Sequence, residues 1–213
     1  MTDTNPPLDC PLCPRLAEFR AANQQQFPDW YNAPVYNWGD DGPALLIVGL
    51  APGLRGANRT GRPFTGDYAG DLLFDTLKKF GLAEGIYRAD PEDGFTLRHT
   101  MIVNSVRCVP PQNKPTGPEI ATCRRFLNAT LDANRQARAY LALGRIAHES
   151  LLSALAVRRA AYPFAHGAEH RLDNGMVLFD SYHCSRYNTN TGRLTAAMFE
   201  DVVGRAAALI SPA

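Results

Sequence analysis

An alternation of two hydrophobic patterns constrains this chain more than any other feature. Four short apolar runs, at residues 44–49, 100–106, 138–143 and 176–179, show no strict polar alternation. Runs of that length fit strands covered on both faces. Between them the period becomes helical. Leu73, Leu77 and Phe80 recur at i, i+4 and i+7. Ile120, Cys123, Phe126, Leu127 and Leu131 make one stripe, with Pro118 near its start. Ile146, Leu151 and Leu155 follow Gly144, and Leu194, Met198, Val202 and Leu209 form a last stripe. A short helix over about residues 15–26 precedes them all. Strand–helix alternation predicts an α/β fold, a three-layer α/β/α sandwich around a four-stranded parallel sheet. It also predicts a site in the strand-to-helix loops, beyond the carboxyl ends of the strands.

The chain has 213 residues, 45% of them hydrophobic and 20% charged, which suits one domain spanning 1–213. Its longest apolar run, 44–51, is far short of the ~20 residues a bilayer requires, so no membrane span is expected. The polar, proline-bearing residues 1–8 predict no secretion signal and hence a cytoplasmic location. Nothing in the pattern calls for an oligomer, and a monomer is expected.

A net charge of +1 excludes a globally basic coat. The charge is nevertheless patterned. Residues 51–66 carry Arg55, Arg59 and Arg62 and no acid. Residues 98–118 carry Arg98, Arg107 and Lys114 with no acid, and residues 181–199 carry Arg186 and Arg193 with none. The acids gather elsewhere, notably in the 83–94 connection. If all three loops open on one sheet edge, the molecule has a positive face suited to phosphates.

Five cysteines are expected to be thiols or metal ligands rather than disulfides. Cys10 and Cys13 form a C-x-x-C pair, and Cys108 and Cys123 lie far along the chain. Four thiolates from two segments suit a [4Fe-4S] cluster or a zinc ion, the wide second pair favouring the cluster. Cys123 also reads as a small buried hydrophobe. A cluster would pin the N-terminal segment to the 107–117 loop.

Several loop residues carry chemistry, each with a plainer alternative. His183 suits hydrogen bonding to a ligand, or is a surface residue. Asn104 offers a donor and an acceptor on one amide, or ends a strand. Phe64, after Pro63 in a glycine-flanked loop, is a stacking platform or a core residue. Asp67 is a polar ligand group or a helix cap.

Four ordered motifs sharpen these readings: Gly49-Leu-Ala-Pro-Gly53, Asn58-Arg-Thr-Gly-Arg-Pro-Phe-Thr-Gly-Asp67, Asn104-Ser-Val-Arg-Cys108, and His183-Cys-Ser-Arg-Tyr-Asn-Thr-Asn-Thr-Gly-Arg-Leu194. Together they resemble the iron–sulfur uracil-DNA glycosylases, most nearly the type b branch, also called family 5. The resemblance runs from Cys10 to the last helix. It implies a [4Fe-4S] cluster on Cys10, Cys13, Cys108 and Cys123, and excision of uracil and other deaminated bases, such as hypoxanthine or xanthine, from DNA. A flipped base would meet His183 at its O2, Asn104 at its edge and Phe64 on its face. Gly49, Ala51, Pro52, Gly53 and Ser185 would line the sugar and base, and Asn58 or Asp67 would orient the water. Arg55, Arg59, Arg62, Lys114 and Arg193 would contact phosphates, while Arg186 and Tyr187 fall where the family wedges the duplex.

Two departures stand out. The related type a branch has an acid where this chain has Leu50, and the archetypal uracil enzymes have a catalytic Asp at the position of Ala51. Cys184 replaces the usual proline of a His-Pro-Ser motif. The alternative function is a non-catalytic, metal-bearing nucleic-acid binding protein derived from a glycosylase.

Overall fold

The computed structural model describes residues 3–211. Helix α1 (Pro14–Gln26) leads to a two-residue strand, β1 (Trp38–Gly39), and then to β2 (Leu45–Gly49). A single helical turn, α2 (Ala57–Thr60), and helix α3 (Tyr68–Lys79) follow. Strands β3 (Ala83–Glu84) and β4 (Thr96–Leu97) form a small separate hairpin before β5 (Thr100–Asn104). Next come α4 (Gly117–Ala133), β6 (Ala139–Leu143), α5 (Arg145–Ala154), β7 (Glu169–Arg171) and β8 (Val177–Ser181). The chain closes with α6 (Arg186–Asn190) and α7 (Ala196–Ile210).

The four expected strands are β2, β5, β6 and β8, and they pair in parallel. The sheet itself has six strands in the order β1-β5-β2-β6-β8-β7. The two additions are antiparallel edges, β1 on β5 and β7 on β8. Both escaped the pattern for the same reason. β1 is two residues long, and β7 reads Glu-His-Arg, so neither carries an apolar run. Each nevertheless caps an open row of backbone hydrogen-bonding groups.

Successive side chains of a strand point to opposite faces, and the two cores follow that rule. Leu45, Ile47, Ile102, Leu141 and Phe179 pack with Leu73, Phe74 and Leu77 of α3 and Phe199, Val202 and Val203 of α7. Leu46, Val48, Val103, Ala142 and Leu178 pack with Leu127 and Leu131 of α4 and Leu151 and Leu152 of α5. Truncating a side chain such as Leu127 to alanine costs roughly 2–5 kcal/mol. α4 starts at a capping box, where Thr116 accepts from the Glu119 amide and Glu119 accepts from the Thr116 amide. No helix among the described residues is long and apolar enough to cross a membrane.

Register fixes the functional edge. Gly49 pairs with Asn104, and Leu143 with Ser181, so these four residues end their strands on one side. The loops after β2, β5 and β8 therefore open at a common rim.

Candidate active site

A cavity of about 800 Å³ opens at that rim. Leu50, Ala51, Pro52 and Gly53 form its wall after β2, Asn104 its floor at the end of β5, and His183, Ser185 and Arg186 its side after β8. Phe64, Asp67 and Tyr68 complete it from the long β2–α3 loop. Three separated turns of chain thus converge, as the pattern predicts.

Gly49 makes the convergence sterically feasible. A Cβ there would stand 2.4 Å from Asn104 Oδ1 and 3.2 Å from the Phe64 ring. Any side chain would push both away from the strand end. Asn104 is 3% exposed, and its amide has no hydrogen-bond partner among the described residues. The amide opens onto the cavity, where its donor and acceptor are available to a ligand.

Phe64 is buried with φ +56, the left-handed region that an aromatic residue rarely occupies. Its ring lies beside that of His183, with centroids 5.8 Å apart and planes 26° apart. The backbone strain is spent on aiming this ring across the cavity. His183 is partly buried, and its ring nitrogens have no partner among the described residues. Burial lowers its pKa to about 4, so the imidazole is neutral at physiological pH. Asn188 Nδ2 donates to the His183 carbonyl at 2.8 Å, and Ser185 caps α6 by accepting from the Asn188 amide. These bonds stiffen the turn that carries the ring.

Asp67 fulfils both of its readings. It caps α3, accepting from the Ala69 amide at 3.1 Å, and it lines the cavity. Its Oδ2 lies so close to Gly56 that a Cβ there would approach to 2.4 Å. Burial raises its carboxyl pKa against the backbone bonds that lower it. Asn58, the other water-orienting candidate, does not reach the cavity. It is 1% exposed, and its Nδ2 donates to Asn32 Oδ1 at 2.9 Å. Its role is to tie the α2 turn to the N-terminal segment, a partnership no spacing in the sequence announces.

The positive face is narrower than the charge pattern predicts. Arg62 is not a phosphate contact. It is 5% exposed and makes a bidentate pair with Asp93, at 2.8 and 2.9 Å. The guanidinium holds the Asp93 carboxyl well below the usual carboxylate range. Arg98 pairs with Glu84, so the acid-rich 83–94 connection neutralises part of the face it borders. Arg107 is buried elsewhere, at 1% exposure. Arg55, Arg59, Lys114, Arg186 and Arg193 stay exposed. Arg55 and Arg186 line the cavity mouth. Arg186 stacks over Tyr68 at 5.1 Å, Arg193 over Tyr182 at 4.5 Å, and Tyr187 beside them is 72% exposed. Tyr68, Asp71, Ala89 and Asn113 also line the cavity without having been singled out in the sequence. Ala89 and Asn113 come from connections with left-handed turns, which the sequence pattern does not signal.

Cys184 is fully buried in the α3–α7 core. Burial raises its thiol pKa far above neutrality, so it packs as a small apolar side chain.

The other four cysteines meet at a second, small pocket, lined also by Leu12, Leu16, Val106 and Phe126. Its polar surroundings are cationic. Arg20 Nη1 approaches Cys108 Sγ at 3.7 Å, and the Arg107 amide donates to Cys123 Sγ at 3.3 Å. The two buried guanidiniums find only neutral partners: Arg20 the Cys10 carbonyl, Arg107 the Asn5, Asn37 and Thr130 side chains and the Thr4 carbonyl. Burial raises the Cys13 thiol to about 11 and the Cys108 thiol to about 12. Two buried cations facing four thiols suit an anionic thiolate-bound group.

The sequence model of the Uracil DNA glycosylase superfamily matches residues 36–206, which hold the whole rim. A type-5 uracil-DNA glycosylase of Thermus thermophilus is 44% identical over 91% of this chain and 90% of its own. One from Mycobacterium tuberculosis is 40% identical over 91% of this chain and 75% of its own. A type-4 uracil-DNA glycosylase of Thermotoga maritima is 37% identical over only 41% of this chain and 38% of its own. The family model holds the strand ends and rim loops, and the type-5 proteins match most of the chain, so the chain belongs to the uracil-DNA glycosylase superfamily, in its type-5 branch.

Proposed function

We propose that this protein excises uracil from DNA by hydrolysing the N-glycosidic bond, the first step of base-excision repair. The observation that carries the reading is the convergence of a neutral His183, an unpaired Asn104 amide and the Phe64 ring on one cavity at the sheet's carboxyl edge. A nucleobase flipped out of the duplex presents a face to stack and an edge to read. Phe64 takes the face, and the Asn104 amide donates and accepts at the edge. As the bond to the sugar breaks, negative charge grows on the base. The neutral imidazole of His183 donates a hydrogen bond to it and needs no change of charge to do so. Asp67, which reaches the cavity where Asn58 does not, orients the attacking water. The backbone of Gly49, Ala51, Pro52 and Gly53 lines the sugar, and Ser185 holds the far wall. Arg55, Arg59, Lys114, Arg186 and Arg193 anchor phosphates, and Tyr187 enters the space the base leaves. With no carboxylate at Leu50 or Ala51, leaving-group stabilisation carries most of the catalysis. That dependence admits hypoxanthine and xanthine as further substrates.

Cys10, Cys13, Cys108 and Cys123 would hold a [4Fe-4S] cluster, which supplies a structural cross-link between the N-terminal segment and the β5–α4 loop. The buried Arg20 and Arg107 support an anionic occupant. Spacing favours the cluster over zinc. Four sulfurs on one zinc ion at about 2.3 Å would stand about 3.8 Å apart. Among the described residues, no three cysteine sulfurs come within 4.8 Å of one another.

Incubation of the purified protein with duplexes carrying uracil, hypoxanthine or xanthine, followed by alkaline cleavage of abasic sites, tests the activity. Strand breaks at uracil are expected. Binding without breaks in every pairing context would leave a non-catalytic DNA-binding protein.

A further inference from the structure

Behind the α5 face of the sheet lies a cluster that the rim chemistry does not use. His148 of α5, His170 of β7 and Asp180 of β8 bring one donor atom each within 4.8 Å of one another. Asp180 is fully buried and His148 is 2% exposed. The Asp180 carboxylate has no arginine or lysine partner among the described residues. Its neighbours are His148 Nδ1 at 2.7 Å from Oδ1 and His170 Nε2 at 3.3 Å from Oδ2.

The hydrogen-bond geometry calls for a shared proton or a metal ion here. His148 Nε2 lies 2.9 Å from the Tyr162 carbonyl, which only accepts, so Nε2 carries a hydrogen. In a neutral ring Nδ1 then bears a lone pair, and that lone pair faces a carboxylate oxygen. At 2.7 Å the line between them is a hydrogen bond and holds a proton, whereas a metal ion would sit beside the pair and draw on both donors. A proton on Nδ1 answers Oδ1 alone. A metal ion at the common focus answers all three donors at once. Two imidazoles and a carboxylate are a usual ligand set for zinc. A ring N–H bonded to a backbone carbonyl is the arrangement that orients a ligating histidine. His170 sits on the edge strand and is 13% exposed, which gives an ion a way in.

We propose that His148, His170 and Asp180 form a second metal site, one that takes a divalent zinc-type ion with water completing its coordination. Bound there, the ion cross-links α5, β7 and β8, and so braces the strand from which the His183 turn departs. The proposal is independent of the glycosylase reading.

The test compares the full-length protein with His170→Ala, a substitution on the edge strand that spares the buried His148–Asp180 bond. Both are equilibrated with zinc chloride and desalted, and zinc and iron per chain are measured by mass spectrometry. The wild type is expected to retain one more zinc per chain than the variant, at equal iron, with affinity lowered at least ~10-fold in His170→Ala. Zinc should also raise the wild-type Tm by roughly 5 °C and leave that of the variant unmoved. Equal zinc in the two proteins would overturn the proposal. If both are empty, a proton alone fills the position; if both are loaded, the zinc sits elsewhere, as on the cysteines.

Discussion

The two cavities of this molecule solve opposite electrostatic problems. The rim cavity is wide and brings a neutral imidazole, a free amide and an aromatic ring together, with the Asp67 carboxylate on its wall. Its cations stand outside, at the mouth. The cysteine pocket is small, with Arg107 in its wall and Arg20 against Cys108, and among the described residues neither guanidinium pairs with a carboxylate. The first is arranged for a guest that gains charge during a reaction and then leaves. The second suits the proposed cluster, a guest that is anionic throughout and stays. Arginine follows the same division. Arg55 is exposed at the mouth, whereas Arg62, seven positions on, is consumed by Asp93. Position in a basic loop does not decide whether an arginine is available to a phosphate; the neighbour it meets does.

The strongest blow to this contrast is removal of one ligand of the proposed cluster. Cys108→Ser should leave Arg20 and Arg107 buried and uncompensated, and release the N-terminal segment. The Tm is expected to fall by roughly 10 °C or more, with loss of bound iron, read by calorimetry and metal analysis. An unchanged Tm would remove the structural role of the pocket. Next comes Arg62→Gln, which strands the buried Asp93 carboxylate and should cost about 3–5 kcal/mol in urea unfolding. Its DNA-binding salt dependence should match that of the wild type.

His183→Ala should then lower the single-turnover excision rate by about 100- to 1000-fold while duplex affinity changes less than about twofold. Parallel losses in both would place the histidine in binding rather than chemistry. Because its folded pKa lies near 4, against an ordinary value of 6.5, the neutral ring persists across the physiological range. Excision should therefore show no histidine-dependent fall between about pH 8 and pH 5. A folded pKa below the unfolded one also means that His183 weakens the native state as pH drops from about 6.5 towards 4. His183→Ala should flatten that part of the stability profile. The smallest effect is expected from Arg55→Gln. It should weaken duplex binding uniformly across sequences and reduce the salt slope by about one. No change in slope would detach the cavity mouth from the DNA path.

Much of this was legible in the residues. β2, β5, β6 and β8 announce themselves because a strand covered on both faces is apolar over most of its length. The edge strands β1 and β7 stay silent, because an edge needs only backbone partners, and Glu-His-Arg supplies those as well as Val-Leu-Phe does. Gly49, Asn104, Phe64 and His183 were readable as an ordered set of motifs, and they do meet. Asn58 sits in the same motif as Phe64 and Asp67, yet it points away to Asn32. Its amide had two available jobs, and its sequence neighbours could not say which.

Local order in the sequence therefore determined the layers, the strand ends and the four cysteines, since hydrophobic period and loop placement are properties of short stretches of chain. Only the tertiary structure decided which charges remain free, which carboxylate enters the cavity, and that His148, His170 and Asp180 share one focus. Those outcomes depend on partners far along the chain, as with Arg62 and Asp93, 31 positions apart, or Arg107 and Asn5, 102 apart. A pairing energy falls off over a few ångströms of space and is blind to distance along the chain.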